Sequence, residues 1–268
     1  MFDTPSTQGV IARARSTATD RSTAGITLSG AIRSALSPPG HHEYVVSGRL
    51  VLPENDRPIR SIITGRRVQT TGSYASRKAG RSQVFESMTE RAFFMHCEVD
   101  THVVDYRAQP FRFEFHLDGQ WRTYIADCVR LLGSGQVEVV ELKSDLRDLK
   151  DIDYQAKLER VRSLCRQLGW RFTVVRRRHL ERNLTVHRNI EFVQQDRLTD
   201  FDDLDIYRVT GALKEGARPF DEVTNVLGRG VTGAAIVRAM MVARIVDIDL
   251  RRPLSGESSV RLLQSKEM

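Results

Sequence analysis

Asp127, Glu141 and Lys143 are the residues of this chain whose types and spacing could do chemistry. They fall in YIADCVRLLGSGQVEVVELKSD, residues 124–145, where two short apolar runs flank Gly133-Ser134-Gly135. If that triplet is a three-residue hairpin loop, facing positions add to 268, so Leu132 faces Gln136 and Asp127 faces Glu141. Directly opposed residues share a face, with Cβ atoms roughly 4.5–5.5 Å apart. Lys143, two positions past Glu141, points the same way. The stretch therefore gathers two carboxylates and one ammonium on one patch. Two carboxylates about 5 Å apart repel by about 3 kcal/mol at an effective dielectric near 20. Such a patch is unfavourable without a cation. Lys143 would neutralise one charge. Mg²⁺, for which Mn²⁺ can substitute, would neutralise both and keep waters for a phosphate substrate. A metal there can polarise a phosphoryl oxygen and generate hydroxide near neutral pH. A lysine beside it can position or deprotonate the attacking water, or steady transition-state charge. An ordinary cross-strand salt-bridge cluster would use the same residues, and a bulge would shift the register by a residue.

Context separates this Glu-x-Lys from the second acid-x-Lys match, Asp148-Leu149-Lys150, which reads as a turn. Lysine is also scarce here, with 6 among 41 basic residues, so one at the end of a central strand is less readily incidental.

The elements that must position these residues start at Phe85. ESMTERAFFMHCEVD puts Met88, Ala92, Phe93 and Met95 at helical spacing. Ser87 and Glu90 form a capping-box pattern, so Glu90 is either a cap or part of the acidic patch. VVDYRAQPFRFEFHL reads as a strand, a turn at Gln109-Pro110 and an alternating strand. Asp118-Gly119 is a hairpin signal, and Trp121 to Leu132 reads as one return strand. QVEVVELK runs back, DIDYQAKLERVRSLCRQLGW is a long amphipathic helix with Ile152, Leu158, Val161, Leu164 and Leu168 on its apolar side, and RFTVV is a further strand. Helix, antiparallel strands, helix, strand is an α/β layer and not a doubly wound fold. Trp121 and Trp170 are expected in the core.

The flanks differ in character. Residues 1–80 hold 11 Lys+Arg against 5 Asp+Glu, residues 81–198 hold 20 against 18, and residues 199–268 hold 10 against 11. The basic excess lies in the amino-terminal third and suits a polyanion, most simply nucleic acid. Residues 1–59 read as a basic, partly disordered arm, with a short strand or hairpin at 43–51. Residues 60–83 read as a basic approach in which Arg66, Arg67, Arg77 and Lys78 either meet phosphates or are solvated. The same alternatives hold for Arg176, Arg177 and Arg178. Residues 60–195 are then one domain and 196–268 a second. The second has three helices, at 202–214, 219–227 and 231–243, and two strands around RRPLSGE, which is a winged-helix pattern. No apolar run approaches the ~20 residues a bilayer needs. Cys97, Cys128 and Cys165 lack metal-type spacing and read as reduced thiols of a cytoplasmic protein. His41-His42 reads as a loop feature. No Walker-type or dinucleotide glycine motif is present, so no nucleotide cofactor is expected.

Glu90 in ESMTERAFF, then QPFRF, YIADCVRLL and VEVVELK, together resemble the PD-(D/E)xK nuclease superfamily and, more narrowly, TnsA-type transposon endonucleases. The likeness covers roughly residues 60–180. It implies a restriction-endonuclease-like core. By position Glu90 matches the helix-borne acid, Asp127 the metal-bridging aspartate, Glu141 the second ligand and Lys143 the catalytic lysine. Glu86 competes with Glu90 for its role. Ala126 and Cys128 depart from the proline and aromatic common around the aspartate. The resemblance implies DNA strand cleavage at transposon ends, alongside a partner transposase, with an ATP-dependent regulator docking on the carboxy-terminal domain. A phage, defence or repair nuclease of the same fold, or a non-cleaving DNA-binding adaptor, are the rival readings.

Overall fold

The computed structural model describes residues 27–35, 48–53, 58–59, 70–145 and 149–263. His41, His42, Arg66, Arg67 and Asp148 lie outside the described residues.

The centre is a four-stranded sheet in the order β4-β7-β8-β9, made of Val103–Ala108, Cys128–Leu132, Val137–Lys143 and Arg171–Arg176. The first three run antiparallel, and β9 lies parallel to β8. That parallel step needs a crossover, and a helix at Ile152–Gln167 supplies it. Its Asp151 N-cap accepts the N–H groups of Asp153 and Tyr154. Leu158, Val161 and Leu164 bury its inner face. Ile152, expected on that face, is 79% exposed, because it occupies the first turn beyond the reach of the sheet.

A second sheet, β1-β5-β6, comprises Gly48–Val51, Arg112–Leu117 and Gln120–Ile125. Trp121 to Leu132 is therefore not one strand. The chain leaves β6, crosses at Ala126-Asp127 and enters β7 in the other sheet. The earlier crossing after β4 touches this one, the Gln109 N–H meeting the Asp127 carbonyl at 3.2 Å. Between the two sheets and the crossover helix lies a core of Phe111, Phe113, Phe115, Tyr124, Val139 and Trp170, among others. Trp170 is buried as expected, but Trp121 is 64% exposed, standing on the outer face of β6 against the His116 ring.

The amino-terminal stretch is not wholly an arm. Helix α1, Leu28–Ala35, buries Leu28 and Ile32 in the same core, and β1 pairs with β5. Residues 72–85 form a hairpin, β2 at Gly72–Ser76 and β3 at Arg81–Phe85, where a basic linker was expected. It packs on α2, Met88–Val99. Glu98, wholly buried on α2, accepts from the Ser76 hydroxyl (2.6 Å), the Arg77 N–H (2.7 Å) and the Tyr106 hydroxyl (2.8 Å), which locks hairpin, helix and sheet together.

After α3, as the Ile152–Gln167 helix is now called, come α4 (Arg177–Leu180) and α5 (Leu184–Val193). Then follow α6 (Asp203–Ala212), α7 (Phe220–Asn225) and α8 (Val231–Val242). Close by stands an antiparallel sheet in the order β10-β12-β11, from Arg218–Pro219, Ser259–Leu262 and Val246–Ile248. The strand at Arg218–Pro219 was not anticipated. One apolar cluster runs from Tyr74, Phe93 and Phe94 through Val193 to Val209, Ile236 and Val260, so the core is continuous across residue 196. Among the described residues no helix is long and apolar enough to cross a membrane.

Candidate active site

The β7–β8 hairpin carries the site. Its paired positions are Cys128 with Val140, Val129 with Val139 and Leu131 with Val137, the register that the loop implies. Leu132 donates its N–H to the Gln136 carbonyl at 3.0 Å, and Gly135 takes the left-handed conformation (φ +80°) that closes a three-residue loop. Asp127 lies one residue before β7. Its Oδ2 accepts the Leu142 backbone N–H at 2.7 Å, which ties it across the hairpin beside Glu141.

Glu141 is 3% exposed and well satisfied. Its Oε2 accepts from the Tyr124 hydroxyl at 2.6 Å. Its Oε1 accepts from the Tyr154 hydroxyl and, at 2.8 Å, from Lys143 Nζ. The Lys143 ammonium also lies 4.7 Å from the centroid of the Tyr154 ring. A carboxylate offers about four acceptor positions, and these contacts use three. Burial on the inner face of the sheet explains the tyrosines: without donors there, the charge would be prohibitively desolvated.

The electrostatics follow from this crowding. Burial, then repulsion from Glu141 and from Glu90, pushes the Asp127 carboxyl well above the usual carboxylate range. Burial works to lower Lys143, but the adjoining Glu141 carboxylate outweighs it, and the net shift is upward. Lys143 is therefore a fixed cation at neutral pH. Lys157, half-buried on α3, is shifted down by burial, against the pull of Glu141 and with the push of Arg122 and Lys143.

Glu90 caps its helix. The Ser87 hydroxyl accepts the Glu90 N–H at 3.1 Å, and Glu90 in turn accepts from Ser87 Oγ (3.1 Å) and from the Glu86 N–H (2.8 Å). Yet it stands near enough to Asp127 to be felt there. Thr89 Oγ1 meets Ser144 Oγ at 3.0 Å, which fixes the amino-terminal end of α2 against the end of β8. Among the described residues no three His, Cys, Asp or Glu side chains close into a metal-holding group, and Glu90 is turned into its cap.

A family model described as TnsA-like endonuclease N terminal matches residues 100–177. The match supports a TnsA-like nuclease family. No curated protein matches the chain. The TnsA-like segment contains Asp127, Glu141 and Lys143, whereas Glu86 and Glu90 precede it.

Within this TnsA-like domain the donor set suits a hard divalent ion. Among the described residues Asp127 accepts through Oδ2 from the Leu142 N–H, Glu141 keeps one acceptor position, and the carboxyl of Asp127 is held among like charges that a cation would relieve. Sequence reasoning missed Tyr124, Tyr154 and Lys157 as parts of the site. Tyr124 carried a usable signal, lying three residues before Asp127 at the end of a strand. Tyr154 and Lys157 lie within the long amphipathic helix, where spacing alone gave no signal of a role.

The other basic residues and the cysteines divide. Arg77 is not at a phosphate site: its Nε donates to the Arg197 carbonyl and its Nη2 to the Thr199 carbonyl, both at 2.6 Å. Lys78 is buried against the Cys97 and Asp100 carbonyls (3.0 and 2.6 Å), and burial lowers it to about 8. Arg177 and Arg178 are exposed at α4. The three cysteines are buried and free.

Proposed function

We propose that this chain is a Mg²⁺-dependent DNA endonuclease that hydrolyses a phosphodiester. In this reading it cuts at transposon ends in the cytoplasm, beside a partner transposase and an ATP-dependent regulator. The observation that carries the proposal is the joining of Asp127, Glu141 and Lys143 by one hairpin inside the TnsA-like segment. Asp127 and Glu141 would hold the ion, and Glu90 would complete its shell on leaving the cap. When bound, the ion supplies Lewis-acid polarisation and a hydroxide near neutral pH.

The remaining work falls to the chain's own groups. Tyr124 and Tyr154 fix the plane of the Glu141 carboxylate. Without a bound ion the Glu141 carboxylate favours the charged form of Lys143, which suits it to steady charge on the phosphoryl oxygens and to position the water. Three helices and a small antiparallel sheet after residue 196 fit a winged-helix-like domain. The balance of 10 basic against 11 acidic residues over 199–268 suits docking of the regulator better than holding DNA.

Calorimetric titration of Mg²⁺ or Mn²⁺ into the full chain tests this. Binding that vanishes in Asp127→Ala and persists in Lys143→Ala is expected. Absence of binding by the wild type, with DNA present, would sink hydrolysis and favour the non-cleaving adaptor.

A further inference from the structure

Residues 176–188, RRRHLERNLTVHR, hold five arginines against one glutamate. The fold does not disperse them. The Arg177 Nε is taken by Glu181 at 2.7 Å, but among the described residues Arg178, Arg182 and Arg188 enter no ion pair, and all three are exposed. Arg182 lines an open cleft of about 700 Å³ at the short α4 and the start of α5, together with His96, His179, Leu180, Asn183 and Thr185, and Arg178 is the chain neighbour of His179 in that lining. Arg176, Arg178 and Arg182 all stand near enough to His179 to depress it, burial being the larger cause. Clustered like charge of this kind is unfavourable unless something anionic meets it.

The position of the cleft is informative. Arg176 ends β9 directly beside Lys143 in the parallel ladder, one strand spacing of about 4.8 Å away. On the other wall, His96 lies seven residues along α2 from Thr89, which touches Ser144, a rise of about 10 Å. One DNA strand advances about 3.4 Å of helix axis per phosphate, so the rise along α2 from Thr89 to His96 matches about three phosphates.

We propose that the α4–α5 cleft, through Arg178 and Arg182, is a sequence-independent site for the DNA backbone flanking the bond at Lys143. The proposal rests on the nuclease reading for the place of that bond. Positioning contacts of this sort carry no sequence information and are read out as salt dependence.

The test is fluorescence anisotropy of a labelled duplex oligonucleotide with the full chain, in chelator to prevent cleavage, across a salt series. Removing two phosphate contacts in Arg178→Ala/Arg182→Ala should reduce the slope of log K against log salt by about 1.8. Affinity should fall at every salt concentration. Arg178→Lys/Arg182→Lys should restore the slope, because a lysine still supplies a point charge. A wild type that binds no duplex, or an alanine variant with unchanged slope, overturns the proposal; the second result would leave an acidic protein segment as the better match. The metal titration judges hydrolysis separately. Loss of metal binding with the slope difference intact would leave the cleft as a DNA site without cleavage.

Discussion

Asp127 reaches across the hairpin to the Leu142 N–H at 2.7 Å, and this contact brings its carboxylate beside Glu141. The bond depends on an acceptor oxygen and not on charge, whereas the repulsion depends on charge alone. Asp127→Asn should therefore fold normally and melt at or above the wild-type temperature, by the equivalent of about 1 kcal/mol. The same variant should bind no Mg²⁺ by calorimetry. A clearly lower melting temperature would show that Asp127 is a structural ion-pair member.

Tyr124 and Tyr154 approach Glu141 from β6 and α3. Groups that orient a ligand typically contribute about 10–100-fold in metal affinity. Tyr124→Phe and Tyr154→Phe should each weaken Mg²⁺ binding by about tenfold, with far-ultraviolet circular dichroism unchanged. Equal affinity in both variants would mean that Glu141 does not hold the ion.

The cap on α2 separates two roles for Glu90. Ser87→Ala should cost about 1 kcal/mol in chemical denaturation and leave metal affinity unchanged or raised, since Glu90 is released. Glu90→Gln should lower metal affinity about tenfold. If Glu86→Gln does so instead, the helix-borne ligand is Glu86.

His96 is lowered to about 4 by burial and then by His187, whose Nδ1 is 3.0 Å from its Nε2; Asp100 opposes the shift and Arg130 adds to it. Between about 4 and the ordinary value of 6.5 the unfolded chain binds more protons than the folded one. His96 thus subtracts stability as pH falls through that window, by at most about 1.4 kcal/mol per unit. Urea denaturation from pH 7 to 4 should show a shallower decline in His96→Phe, which keeps the ring packing. Parallel curves would show that His96 titrates alike in the folded and unfolded states.

The hairpin register was legible because a Gly-Ser-Gly loop and a two-residue period leave little freedom. The capping box at Ser87 and Glu90 was legible for a similar reason, since its partners are local. The crossing at Ala126-Asp127 was not, because nothing in an apolar run marks where a strand changes sheets. Nor was the β2–β3 hairpin, whose Ser, Arg and Lys residues are held by distant partners such as Glu98 and Arg197. The Tyr154 contact with Glu141 depends on how α3 lies across the sheet, which is tertiary information. Trp121 shows the reverse error: aromatic character was read as burial, but its position on an outer face decided otherwise.

The turn at Gly133-Ser134-Gly135 also constrains how this chain can drift over evolutionary time. Adding one residue within β8, between the turn and Glu141, would carry Glu141 and Lys143 together to the opposite face, away from both tyrosines. A viable change within the arms between Asp127 and Glu141 must come as a matched pair, one residue in each arm, or be absorbed by a bulge. Insertions and deletions that preserve the site should therefore fall in the loop or alter the arms in steps of two.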